Sequence, residues 1–386
     1  MTLVRLTQTT ALVAVLSACE ARADKLTIQE DEGERTIEGN VLTSDSAGNL
    51  LFESRDARHW VVTKDKIVKH EKSATPTPLW KAPELKAALA KEYGKDFKVT
   101  ETGHYMIVHS CSVDTAREAG KLLNRAQGQF FFFFERKSGF KLQKPKQPLI
   151  AVVFEDRRQY QEHVSKFIGR TAEMTLGVFI PSVNRIYLYN AFGGDEGRRV
   201  EMASKVNSQF ARQMSGHMLE QNISTLIHEA IHQVAYNTGF HNRKLVELPL
   251  WLVEGMAMYF ETTDVNAKHG WKGGKTINPG RAELFRASYR NYERGFIEDL
   301  LVRDDRLRDP ATASEGYALA WTFTYYLLKH HQKEYMDFVK LINSRKEFSS
   351  YSRSARLADF EKAFKKSPSE MEDEFLEGVK KLLDGK

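Results

Sequence analysis

The chain has 386 residues, 41% apolar and 28% charged, which describes a globular protein able to bury a core and divide into two or three domains. Its 57 basic and 51 acidic side chains leave a formal charge of only +6 at pH 7. That balance argues against a surface built for phosphate backbones or anionic lipid, so neither nucleic acid nor membrane is expected as partner.

Residues 1–23 read as an export signal. Arg5 supplies a positive start, Ala11–Ala18 an apolar core too short to span a bilayer, and two processing patterns follow. Ala21–Ala23 fits small-x-small cleavage; Leu16–Cys19 fits a bacterial lipobox, which would put a lipid anchor at Cys19. Cleavage after Ala23 is preferred, because a strand-like segment begins at Lys25 and leaves almost no tether behind Cys19. The expectation is export to the periplasm, cell envelope or medium, without a transmembrane helix. That cut leaves Cys111 alone, so neither an intrachain disulfide nor a thiolate metal site is expected, and Cys111 reads as a small buried residue.

Residues 24–72 alternate short β-like runs with turns and read as a small antiparallel β module. Residues 73–96, opening in a Ser-, Thr- and Pro-rich run, read as a linker. Residues 97–190 mix both element types. "FKVTETGHYMIVHS" is strand-like, Val113 to about Lys137 helical, "LIAVVFED" a buried strand, Arg157–Phe167 helical, and "LGVFIPSVNRIYLYN" two strands around a turn. The run "FFFFF" at Phe130–Phe134 has no polar face and is expected to be buried on all sides at a helix end. The basic run Arg136–Lys146 reads as a solvated loop. Residues 191–386 read as almost wholly helical, with Gly194–Gln221 a lid or surface excursion, so the fold class expected is α+β.

Within the helical part stands "HEAIHQVAYNTG", His228–Gly239. Asn222 or Ser224 is expected to cap this helix and Gly239 to end it. Ile223, Leu226, Ile227, Ala230, Ile231 and Val234 recur at helical spacing and should face the core. His228 and His232, four apart, point along one stripe, where both imidazoles reach a single Zn²⁺ at about 2.0–2.1 Å. Glu229 projects beside them, placed to act as base toward an activated water. Downstream, "LPLWLVEGMAMYFE" (Leu248–Glu261) starts a helix at Pro249 and packs through Trp251, Leu252, Met256 and Tyr259. Glu254 is stranded among apolar neighbours, a costly burial unless a cation pairs with it, while Glu247 and Glu261 sit at the segment's edges. Gly255 is expected to let this helix close on the first. Three protein ligands with one open position is the catalytic arrangement of zinc.

"HEAIHQ" followed by Asn237 and then "WLVEGMA" resembles the gluzincin metallopeptidases, with the H-E-x-x-H-Q … W-L-x-E-G-x-A pattern of their membrane-alanyl-aminopeptidase-like branch. A wider set of landmarks, among them "HYMIVHS", "LIAVVFEDRRQY", "NRIYLYN" and "YALAWTFTYYLL", runs from about Phe97 to Leu328. It resembles the exported bacterial family called domain of unknown function 1570. The resemblance implies a zincin-like domain over residues 97–386, with an α/β part (97–190) and a helical part (191–386). It implies one zinc ion on His228, His232 and Glu254, with Glu229 as general base and acid acting on a peptide or protein substrate. The Gly-x-Met-Glu-Asn loop that holds a substrate's amino terminus in those aminopeptidases is absent, which favours endopeptidase action. The position of their transition-state tyrosine falls on Ala313, and Tyr317 is the nearest substitute. Two other readings use the same residues: a zinc-binding but inactive envelope scaffold with the β module as docking part, and an amidase acting on a cell-wall cross-link. An intact Glu229 argues against the first. The remaining histidines, His59 and His241 among them, lack ligand spacing and read as structural or surface residues.

Overall fold

Five strands form the N-terminal unit of the protein. They are β1 (Asp24–Glu30), β2 (Gly33–Ser44), β3 (Leu50–Ser54), β4 (His59–Val62) and β5 (Ile67–Glu71), antiparallel in the order β4-β3-β2-β1-β5. Leu26, Ile28, Phe52 and Val62 make its small core. The computed structural model describes residues 24–190, 208–241, 247–262, 277–346 and 348–383, with 208–219 and 381–383 described by backbone alone. The expected export signal lies outside the described residues, as does the 194–207 part of the Gly194–Gln221 excursion.

The region read as a linker contains α1 (Ala82–Tyr93). Pro83 sits in its first turn, and the Glu84 carboxylate accepts from the Lys81 N–H at 2.9 Å, a cap that starts the helix where the Pro-rich run ends. Leu85 and Leu89 are fully buried against the second sheet, so this segment is a packed element.

That second sheet comprises β6 (Lys98–Thr102), β7 (Tyr105–His109), β8 (Leu149–Phe154), β9 (Gly177–Ile180) and β10 (Arg185–Tyr189), in the order β6-β7-β8-β10-β9. β7, β8 and β10 are parallel, and antiparallel β6 and β9 form the two edges. Period-two alternation divides the central strands between two cores. Tyr105, Ile107, Ala151, Val153 and Ile186 face the core shared with α2 (Val113–Phe131) and the later helices. Met106, Val108, Ile150, Val152 and Tyr187 face the core shared with α1 and α3 (Arg157–Ile168). Beyond α2 a π-helical turn spans Phe132–Lys137. Phe130, Phe133 and Phe134 pack among Phe240 and Phe260, but Phe132 is 47% exposed, contrary to the expectation for the run. Consecutive helical residues point around the whole circumference while the core lies to one side, so one ring must face water.

The remaining helices are α4 (Ser208–Asn237), α5 (Leu250–Phe260), α6 (Pro279–Ser288), α7 (Phe296–Val302), α8 (Asp305–Arg308), α9 (Ala313–His330), α10 (Gln332–Asn343), α11 (Arg353–Phe364) and α12 (Pro368–Leu383). Every residue from Ala318 to Leu328 in α9 is buried, making it the axis of the helical part. The architecture is α+β: an antiparallel sheet, then a mixed sheet, then a mostly helical part. Among the described residues no helix is long and apolar enough to cross a membrane.

Buried polar groups lock the N-terminal sheet to the mixed one. Arg185, 1% exposed, donates to Glu92 (2.5 and 2.9 Å), to the Tyr93 hydroxyl (3.0 Å) and to Asp56 (3.3 Å). The His59 N–H donates to the Ser182 carbonyl at 2.7 Å.

Candidate metal centre

The helix carrying H-E-x-x-H is held on two sides. Ile223, Leu226, Ile227, Ala230, Ile231 and Val234 are all buried, as their spacing required. On the sheet side, the Gln233 amide donates to the Ile150 and Asn184 carbonyls at 3.0 Å each, and the Asn237 and Asn184 side chains exchange hydrogen bonds of 2.7 and 2.9 Å. The helix begins well before the expected caps: it runs unbroken from Ser208, so Asn222 and Ser224 lie inside it. The intervening Gln, Met, Leu and Glu residues are good helix formers, and with no proline upstream of Asn222 they carry the helix through Gly216. Gly239 ends it at φ +74°, in the left-handed region, as expected.

α5 begins behind Pro249, as its sequence indicates. Gly255 serves a different approach from the one expected. A Cβ there would meet Thr324 Oγ1 at 2.1 Å and the Ala320 carbonyl at 2.8 Å, so the glycine admits α9, not α4. Glu254 is thereby presented to α4 from a helix pinned at its back.

His228, His232 and Glu254 come together. The two Nε2 atoms lie 3.0 Å apart, and Glu254 Oε2 lies 3.1 Å from His228 Nε2 and 3.6 Å from His232 Nε2. A tetrahedral ion with ligands at about 2.0–2.1 Å sets its donor atoms about 3.3 Å apart, and these three spacings bracket that value. The donor set therefore fits one zinc ion with an open fourth position. The electrostatics agree. Burial pulls the His228 imidazole toward neutrality, yet its bonds with Glu254 and Glu261 raise its pKa well above the ordinary value. Burial pushes the Glu254 carboxyl up, and His232 and His228 pull it far below the usual carboxylate range. Two carboxylates thus draw positive charge to one point.

Glu261 completes the centre from behind. It is 5% exposed, just past the end of α5, and its Oε2 accepts from His228 Nδ1–H at 2.8 Å. That contact keeps a proton on Nδ1 and aims Nε2 at the ligand cluster. Oε1 of Glu261 accepts from Asn278 (3.3 Å) and Arg281 (3.4 Å). In the sequence it is only the carboxylate at the segment's edge; the Nδ1 it serves belongs to a helix 33 positions away.

Glu229 lies beside the ligands, and its Oε2 accepts from the Phe179 N–H of edge strand β9 at 2.6 Å. All four residues line an open cleft of about 730 Å³, together with Tyr317 and residues of β9 and β4. Tyr317 is half-buried on the second turn of α9, with the Arg281 guanidinium 5.8 Å from its ring centre. Burial, helped by Glu254, holds its phenol above the ordinary range, so it stays a proton donor. His59 and His241, read as scattered histidines, also line the cleft. His241 is 5% exposed, its Nε2 has no partner among the described residues, and burial lowers its pKa to about 3. Cys111 is buried and does not line this cleft, its thiol pushed up to about 12 by burial and Glu155.

Residues 222–349 match the model of a family described as "Protein of unknown function (DUF1570)". The match supports the family resemblance read from the motifs and spans all four residues of the centre and Tyr317, while the N-terminal sheet lies outside it. No curated protein matches the chain.

Proposed function

We propose that this protein is a zinc-dependent hydrolase of peptide bonds, exported to the cell envelope, with His228, His232 and Glu254 as ligands of one zinc ion and Glu229 as general base. The observation that carries the reading is the convergence of two imidazole nitrogens and a carboxylate oxygen, 3.0–3.6 Å apart, beside a second carboxylate in an open cleft. When bound, zinc supplies Lewis acidity to a water and to the scissile carbonyl. Glu229 handles the proton. Its Oε2 is held by the Phe179 N–H, which leaves Oε1 to take the proton of the attacking water and return it to the departing amine. Glu261 keeps His228 in the ligating tautomer. Tyr317, protonated and in the cleft, is the donor for the developing oxyanion. The outer edge of β9, where no strand pairs among the described residues and the Phe179 N–H meets Glu229, accepts an extended substrate by strand addition, which suits an endopeptidase.

Metal analysis of purified wild type and Glu254→Ala is the first test. About one zinc per chain, largely lost in the variant, supports the three-ligand set; near-stoichiometric zinc in Glu254→Ala removes it. Digestion of a proteome-derived peptide library by wild type and Glu229→Gln is the second. Loss of a general base lowers the rate by about 10²–10⁴-fold. Equal cleavage by both removes the mechanism.

A further inference from the structure

Leu51, His59 and Val61 belong to the N-terminal sheet, yet they line the same cleft as His228, Glu229 and His232. We propose that the β4 edge of this module is a specificity-determining subsite, taking an apolar side chain of an extended polypeptide laid along the cleft. It rests on the hydrolase reading for its chemistry and not for its binding.

The two sheets meet at their edges. β9 is the outer strand of the mixed sheet, and its Phe179 N–H touches Glu229. The chain leaves β9 through Pro181 and Ser182, both lining the cleft, and the Ser182 carbonyl accepts the His59 N–H of β4, itself the outer strand of its sheet. The His59 N–H therefore points away from β3. Residues two apart share a strand edge, so the Val61 N–H and carbonyl face the same outward side, where no strand among the described residues pairs. An extended chain that begins its pairing on β9 next to Glu229 meets a second backbone edge farther along.

The side chains at that second edge are apolar. Val61 is 58% exposed, an unusual residue for an unpaired edge, where charge or proline ordinarily blocks association. Pro181 and Leu248 complete an apolar wall that a hydrocarbon side chain would cover, with the buried Leu51 behind it. The wall is also rigid relative to the metal helix. Tyr236, one turn past His232, hydrogen-bonds His59 Nδ1, and His59 Nε2 lies 3.3 Å from Glu53. With Arg185 clamping Asp56, the module is held as a fixed part of the cleft and not as a tethered docking unit.

The test uses the zinc-loaded full chain carrying Glu229→Gln, which keeps an oxygen for the Phe179 N–H but lacks the base. Immobilised, it selects from a random library of N-acetylated, C-amidated decapeptides. The expected result is enrichment of Val, Leu, Ile or Phe at one peptide position by at least about fivefold, the scale of covering one such side chain. Adding Val61→Lys should abolish that enrichment and Val61→Ile should keep it, with circular dichroism and zinc content unchanged. No enriched peptide, or the same enrichment in the Val61→Lys protein, overturns the proposal. Selection by Glu229→Gln without any cleavage by wild type would remove the hydrolase reading and leave the subsite standing. Cleavage by wild type with an unchanged preference in Val61→Lys would do the reverse.

Discussion

Glu261→Gln probes the metal centre without touching a ligand. In the folded protein both carboxylate oxygens of Glu261 accept: Oε2 from His228 Nδ1–H at 2.8 Å, Oε1 from Asn278 and Arg281 at 3.3 and 3.4 Å. Glutamine offers one acceptor for these two directions. If its oxygen stays on His228, a charge-assisted bond of about 1.5–3 kcal/mol becomes a neutral one of about 0.5–1.5 kcal/mol. The difference, about 1–1.5 kcal/mol, is roughly a 5–13-fold loss of zinc affinity. If the oxygen turns to Arg281 instead, the amide NH₂ faces Nδ1 and drives the imidazole into the Nε2–H tautomer. That withdraws a ligand lone pair and moves the loss toward the upper end of the roughly 10–100-fold range of such contacts. The assay is competitive titration against a chromophoric chelator near neutral pH, with Glu254→Gln as the ligand-loss control. An affinity within about twofold of wild type, or a loss equal to that of Glu254→Gln, would refute the assignment of Glu261 as the residue that orients His228.

Zinc binding near neutral pH should release about one proton, read by calorimetry in buffers of different ionisation enthalpy, because the raised pKa of His228 leaves it protonated in the metal-free protein. A group with a raised folded pKa stabilises fully below its unfolded value and loses that contribution as pH rises through the folded one, so thermal stability in chelator should fall over that interval. Gly255→Ala should cost about 1–3 kcal/mol in urea unfolding and weaken zinc binding, since the added methyl collides with Thr324 and Ala320 next to Glu254. Arg185→Met should cost about 1.5–3 kcal/mol, since buried Asp56 and exposed Glu92 lose a charge-assisted partner but keep Arg58, and should speed proteolysis within residues 24–71.

Much of the fold is legible from local pattern. The unbroken apolar run "LIAVVF" places a strand buried on both faces, and β8 is fully buried because helices cover each side. The spacing of Ile223, Leu226, Ile227, Ala230, Ile231 and Val234 identifies the buried face of α4. The same periodicity implies that His228 and His232 share the other stripe. Less legible are features fixed by a partner distant in sequence. Asn222 and Ser224 look like caps because capping is a local signal, yet the helix continues upstream through a run without proline and across Gly216. Phe132 is apolar and still faces water, because the position of the core decides which side of a helix is buried.

What the sequence by itself determined is the set of chemically committed residues: two imidazoles a helical turn apart, a carboxylate between them, and a second carboxylate stranded in apolar surroundings. Spacing along one helix is a property of covalent geometry and needs no fold to be read. Only the tertiary structure decided that Glu261 stands behind His228, that Gly255 admits α9, and that β4 of a module outside the family match walls the cleft. Each of these depends on atoms brought within a few ångströms across a large sequence separation. Such proximity follows from how sheets and helices pack around their shared cores, and no local periodicity encodes it.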